Sequence, residues 1–317
     1  MKKQMNSYLK LFLSSLLLIN CNCADNKVDA EDEIIGPDLG SNTGNITIPG
    51  SVTKGEFFDD FNYESPSDPE FTSFGWKVRS DNYGPGISGQ GGSWSPSNIS
   101  FIDDGETNKV VKLKANTMGT AASTVSSELF TTRKFGVGTF AARVYFYNAP
   151  ESDLDLIGDL PVQTFFTIAD PSKGEIDAYC EFDFEYLPNG GWGTNPNTLF
   201  STSWETVSNN TGDNYTQDQE GWHTLVIQID FDSTRYYVDG DLKYTHYAPY
   251  VVDGVMSVNF NLWFINIDTE NETERVWSQM IDWVYVRPGK MLTPTQVNES
   301  LDKLRNDNLE RIDSTTL

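Results

Sequence analysis

The chain has 317 residues, with 46 acidic against 22 basic side chains and a formal net charge of -24. That balance excludes nucleic acid as a partner, because phosphate binding needs a basic stripe. Only two histidines are present, His223 and His246, too few for a histidine-rich metal centre and little to build a Ser-His-Asp triad from. Aromatic residues make up 13%, enough for a large core with rings left over for a binding surface. In chain order, Lys2 and Lys3 precede an apolar run from Leu11 to Ile19, which predicts a secretion signal over residues 1–20. The run is too short for a membrane-spanning helix.

Leu17-Leu18-Ile19-Asn20-Cys21 resembles a bacterial lipoprotein signal with Cys21 as the lipidated residue, although Asn20 stands where a small residue is usual. An ordinary cleaved signal is the alternative. Residues 21–53 are acidic and then rich in Gly, Ser, Asn and Pro, and read as a tether. If Cys21 is lipidated, the protein sits on a bacterial outer membrane or cell surface, touching the membrane only through that anchor. Cys180 remains as the third cysteine, so no disulfide framework is expected to hold the fold.

Residues 54–290 show short β-type runs without a convincing amphipathic helix. Expected strands are Val110 to Ala115, Gly138 to Tyr147, Val162 to Ile168, Cys180 to Tyr186, Trp222 to Asp230, Thr234 to Val238, Met256 to Phe264 and Met280 to Val286. Turn signals such as Asp104-Gly105, Asn189-Gly190-Gly191 and Asp239-Gly240 separate them. Such a pattern means an all-β sandwich or barrel. Residues 291–317 form a tail in which Thr295 could cap a short helix through Leu301, Leu304 and Leu309.

The run Cys180-Glu181-Phe182-Asp183-Phe184-Glu185-Tyr186 carries the most chemistry. In a strand Glu181, Asp183 and Glu185 share one face, and the three rings share the other. A solvated acidic face is the plain reading of this alternation. The functional one is that neighbouring carboxylates with separated pKa values suit glycosidic-bond hydrolysis. His223, in Gly221-Trp222-His223-Thr224, has an ordinary structural role by expectation.

The region Phe58 to Arg287 resembles glycoside hydrolase family 16, the laminarinases and lichenases. Its signature strand appears as Glu181-Phe182-Asp183-Phe184-Glu185. Phe61-Asn62-Tyr63, Ser127-Glu128 with Phe135-Gly136-Val137-Gly138-Thr139-Phe140, Gly221-Trp222-His223-Thr224, Tyr236-Tyr237-Val238-Asp239-Gly240, Asn261-Leu262-Trp263 and Ile281-Asp282-Trp283-Val284 follow the family order. The resemblance implies a jelly roll of two curved antiparallel sheets, a polysaccharide substrate and a monomer. It makes Glu181 the nucleophile, Glu185 the acid/base and Asp183 their tuner, with no cofactor for catalysis. A retaining pair must stand about 5–5.5 Å apart, whereas strand Cα atoms four residues apart span roughly 13 Å. Glutamate-length side chains at both ends are therefore needed to converge.

By the same resemblance Glu128, Asn261, Trp263, Tyr179 and Asn62 contact substrate, although Trp263 could also be core. Asp282 and the backbone of Gly105 would help to hold a structural calcium, or Asp282 is a plain surface carboxylate. Trp192, Trp204 and Trp277 either line the cleft or cap the sandwich edge. Three positions depart from the lichenase-like pattern: Tyr179 replaces Trp, Phe130 replaces Arg, and Ile168 replaces an aromatic. They leave the sugar open between β-1,3- or β-1,3/1,4-glucan and a β-galactan such as agar or carrageenan. A non-catalytic surface glycan-binding protein on the same fold is the alternative.

Overall fold

The computed structural model describes residues 54–103, 108–151, 158–170 and 179–316. Cys21, the signal and the tether therefore lie outside the described residues. The first strands are β1 (Phe57–Asp59), β2 (Trp76–Val78), β3 (Ser93–Trp94), β4 (Ile99–Asp103), β5 (Lys109–Thr117) and β6 (Val125–Thr131). Then come β7 (Gly138–Phe146), β8 (Leu160–Ala169), β9 (Cys180–Leu187), β10 (Thr198–Thr206), β11 (Asn209–Thr216) and β12 (Gly221–Ile229). The last are β13 (Ser233–Val238), β14 (Asp241–Tyr247), β15 (Ser257–Asn266), β16 (Arg275–Pro288) and β17 (Arg311–Asp313). Among the described residues two α-helices accompany them, α1 (Pro69–Ser73) and α2 (Pro294–Asn306).

Alternation decides which way each strand faces. In β5, Val111, Leu113 and Ala115 point into the core while Lys112 and Lys114 point out. In β9, Phe182, Phe184 and Tyr186 are fully buried, which leaves the acids on the opposite face. Burial of a phenylalanine contributes about 1.5–3 kcal/mol, so this strand is held by its rings against the repulsion of its carboxylates.

The result is an all-β jelly-roll sandwich. One sheet, the cleft sheet, runs β11-β10-β9-β8-β15-β6-β2, with every pair antiparallel. The back sheet runs β14-β13-β12-β7-β16. On its far side β16 pairs with β5 along its first half and with β1 along its second. A single pairing of Asn116 with Val125 joins β5 to β6 and links the two sheets at that margin. Between the sheets lies an aromatic core in which Phe146 meets Tyr186, Phe165 stacks on Phe260, and Phe184 meets Tyr236 edge-on.

The C-terminal tail differs from expectation. The helix cap is Thr293, whose side chain accepts from the Gln296 N–H in a reciprocal capping box, with Pro294 next in line. Thr295 is already helical, and Leu309 lies beyond the helix. Val297, Leu301 and Leu304 pack on Phe58, Ala141, Val226, Trp283 and Tyr285, on the outer face of the back sheet. The chain then returns as β17 to pair with β1, so the tail is woven into the sheet.

Candidate active site

β9 sits between β8 and β10 with a register that fixes each acid's neighbours. Glu185 lies across from Thr164 and Phe200, Asp183 from Phe166 and Thr202, and Glu181 from Ile168 and Trp204. All three acids line one cleft of about 1370 Å³ across the cleft sheet. Asp183 is buried; Glu181 and Glu185 are half-buried.

Burial and mutual charge prevent three carboxylates from ionising together. Burial, with the charge of Glu181, pushes Glu185 up to about 8. Glu181 is raised less, to about 7, because hydrogen bonds from Tyr179 and Asp183 oppose the desolvation. Asp183 is driven well above the usual carboxylate range by burial and by the charges of Glu181 and Glu185. Its Oδ2 accepts from the Trp204 indole N–H at 2.8 Å, while its buried Oδ1 has no hydrogen-bond partner. A proton on Asp183 resolves this orphan, since its hydroxyl can then donate to Glu181. Along the strand Asp183 lies between the two glutamates, and of these Glu181 ionises at the lower pH.

The wall beside these acids is built by β6, β15 and β2. Glu128 pairs with Asn261 across strands and accepts from Arg79 Nη1 at 2.9 Å. Arg79 also bonds Asp81 at 3.0 Å and lies 4.4 Å over the Trp94 ring. Asn261 Oδ1 accepts from the Thr164 hydroxyl at 2.6 Å. Trp263 is both core and cleft: it is only 6% exposed, packs with Trp94, Val162 and Leu187, and still lines the opening. Trp192 stands 6.1 Å from it. The Tyr179 hydroxyl donates to Glu181 Oε2.

Several sequence expectations separate here. Glu128, Asn261, Trp263, Tyr179, Trp192 and Trp204 are all brought to the cleft, with Phe130 and Ile168 beside them. Trp277 is fully buried, its N–H 3.3 Å from Asp159 Oδ2, and belongs to the core. Asn62 is a correction. It follows β1, and its amide donates to Glu310 Oε1 at 2.8 Å, on the tail side and not among the residues lining the cleft. His223 bonds Asp239 Oδ2 at 2.7 Å and the Gln219 carbonyl at 3.0 Å, the structural role expected of it.

Asp282 does not fit the calcium role. Its Oδ2 takes Arg143 Nη1 at 2.6 Å, and its Oδ1 takes Asn108 Nδ2 at 3.3 Å and Arg305 Nη2 at 3.4 Å. Arg305, from α2, also binds Asp60 at 2.6 Å. Two guanidiniums thus supply the countercharge where a dication would need open oxygens. Gly105 lies outside the described residues. Sequence reading missed Arg79, Trp94 and the Trp204–Asp183 bond. Only the alternation of β10, which puts Phe200, Thr202 and Trp204 on one face, could have pointed to the last.

No protein-family model and no curated protein matches the chain. Solved structures do. The β-glucanase of Bacillus licheniformis aligns with a TM-score of 0.55 at 18% identity, covering 74% of this chain and 99% of that one. The laminarinase catalytic domain from Thermotoga maritima gives 0.54 at 17% identity, covering 74% and 97%. A Bacteroides ovatus family 16 enzyme of a mixed-linkage glucan locus, solved with an oligosaccharide product, gives 0.53 at 17%, covering 73% and 99%. The chain therefore shares the jelly-roll fold of these glucanases, with a carboxylate-floored cleft across one sheet.

Proposed function

We propose that this protein is a retaining endo-hydrolase of a β-linked glucan, of the β-1,3 or mixed β-1,3/1,4 type. The observation that carries the proposal is the placement of Glu181, Asp183 and Glu185 on one face of β9, all lining the same cleft, where burial raises each carboxyl. Glu181, the most readily ionised, attacks the anomeric carbon. Glu185 gives its proton to the departing glycosidic oxygen, and then, as a carboxylate, takes one from the water that releases the sugar from Glu181. Asp183 keeps its proton against Glu181. Trp263 and Trp192 offer faces for sugar stacking, and Asn261 and Glu128 offer hydroxyl contacts.

A cleft lined by residues of β2, β6, β15, β8, β9, β10 and β11, and so running across the whole sheet, suits an internal stretch of polymer. The test is reducing-end release from laminarin, lichenan, agar, carrageenan and porphyran. Cleavage of laminarin or lichenan is expected. Cleavage of a galactan alone would keep the mechanism and replace the sugar. Binding without product from any polymer would favour a glycan-binding protein. Attachment to a bacterial outer membrane through a lipidated Cys21 belongs to the same proposal and rests on the run Leu17 to Cys21. Cys21→Ala should then release the protein from the membrane fraction.

A further inference from the structure

Tyr179 and Glu181 are two residues apart at the start of β9, so alternation gives them the same face. The structure uses that placement directly: the Tyr179 hydroxyl donates to Glu181 Oε2. Tyr179 also lines the cleft, as do Ile168, Asp170 and Glu181. We propose that Tyr179 is a positioning residue, which holds one oxygen of the Glu181 carboxylate so that the other points at the anomeric carbon. The proposal rests on the hydrolase reading above and deepens it, by giving a role to the residue that stands where lichenase-like chains have tryptophan.

That contact and the shared cleft face carry it, and the electrostatics agree. The donor is permanent: burial and the Glu181 charge push the tyrosine hydroxyl far above its ordinary range, so it stays neutral and donating at every working pH. The bond favours the charged form of Glu181, as does the one from Asp183. The two donors also divide the work, because Asp183 is itself fixed from the far side by Trp204. When the glycosyl–Oε1 bond forms, Oε2 becomes the ester carbonyl oxygen and keeps the same hydroxyl. When water breaks that bond, Oε2 regains charge with its donor already in place. No proton leaves Tyr179 in either step.

The test is Tyr179→Phe, which keeps the ring and removes only the oxygen. On the polymer the wild type cleaves fastest among laminarin and lichenan, kcat should fall roughly 10–100-fold, the range for losing a hydrogen bond to a charged group. KM should stay within about twofold, because the hydroxyl acts on Glu181 and not on sugar. The acid limb of the pH–rate profile should move up, since Glu181 must ionise to attack. Carboxyl infrared difference spectra, with Glu181→Gln as the reference, should show Glu181 titrating at higher pH in Tyr179→Phe than in wild type. Unchanged limb and titration would overturn the positioning role. A wild type inactive on every polymer would overturn the hydrolase reading, while the infrared titration would still decide the Tyr179 contact.

Discussion

Replacing Glu185 by glutamine should stabilise the protein, and only at high pH. Burial and the Glu181 charge raise this carboxyl from 4.5 to about 8 in the folded chain. Unfolded, it ionises near 4.5, so between these values the folded state holds the extra proton. Stability therefore falls as pH rises through that window, and the loss is complete above the folded value. At about 1.36 kcal/mol per pH unit the interval sets a ceiling of about 5 kcal/mol. Glu185 is half-buried beside an open cleft, and water there screens its charge to leave about 1–2 kcal/mol. With about 2–4 °C per kcal/mol for a domain of this size, Glu185→Gln should melt about 2–8 °C above wild type at pH 9. At pH 4 both carry a neutral side chain and should melt together. Thermal melts by circular dichroism from pH 4 to 9 read this directly. Parallel curves, or a variant less stable at pH 9, would refute the claim that the cleft strains this carboxylate.

Other expectations concern the frame. Arg305→Ala leaves Asp60 and Asp282 facing each other with only Arg143 and Asn108 as partners, and should cost about 1 kcal/mol, since Arg305 is partly exposed. If guanidiniums supply the countercharge, millimolar calcium or a chelator should leave the wild-type melting curve unmoved; a rise of several degrees with calcium would contradict that. Asp159→Ala strands Arg275, which it binds at 2.7 and 2.8 Å with both side chains fully buried. A loss of about 3–5 kcal/mol is expected in urea unfolding. Truncation after Asn306 removes β17 from β1 and should lower the melting temperature, whereas an appended tail would be lost without effect.

The sequence located the acidic strand β9 and seven others because each alternates apolar and polar residues or is buried on both faces. It missed β11, whose residues Asn209 to Thr216 are polar and largely exposed and so carry no period to read. β10 was missed for a related reason. Its cleft face mixes Phe200, Thr202 and Trp204, so the pattern alternates in size rather than polarity. Glu181, Asp183 and Glu185 were legible because their chemistry depends on spacing within one strand. Asp282 and Asn62 were not, because their partners come from α2 and the tail, some 23 and 248 positions away. The hydroxyl of Tyr179 was within reach of strand alternation, yet only the placed side chain ties it to Glu181.

Anomer-resolved proton NMR of fresh hydrolysate tests the central claim most directly, using laminarin or lichenan and comparing wild type with Glu181→Gln. The expected result is product released first as the β anomer, drifting to the equilibrium mixture with time, and no product from the variant. Initial α anomer, or an active Glu181→Gln, would contradict a double displacement on Glu181.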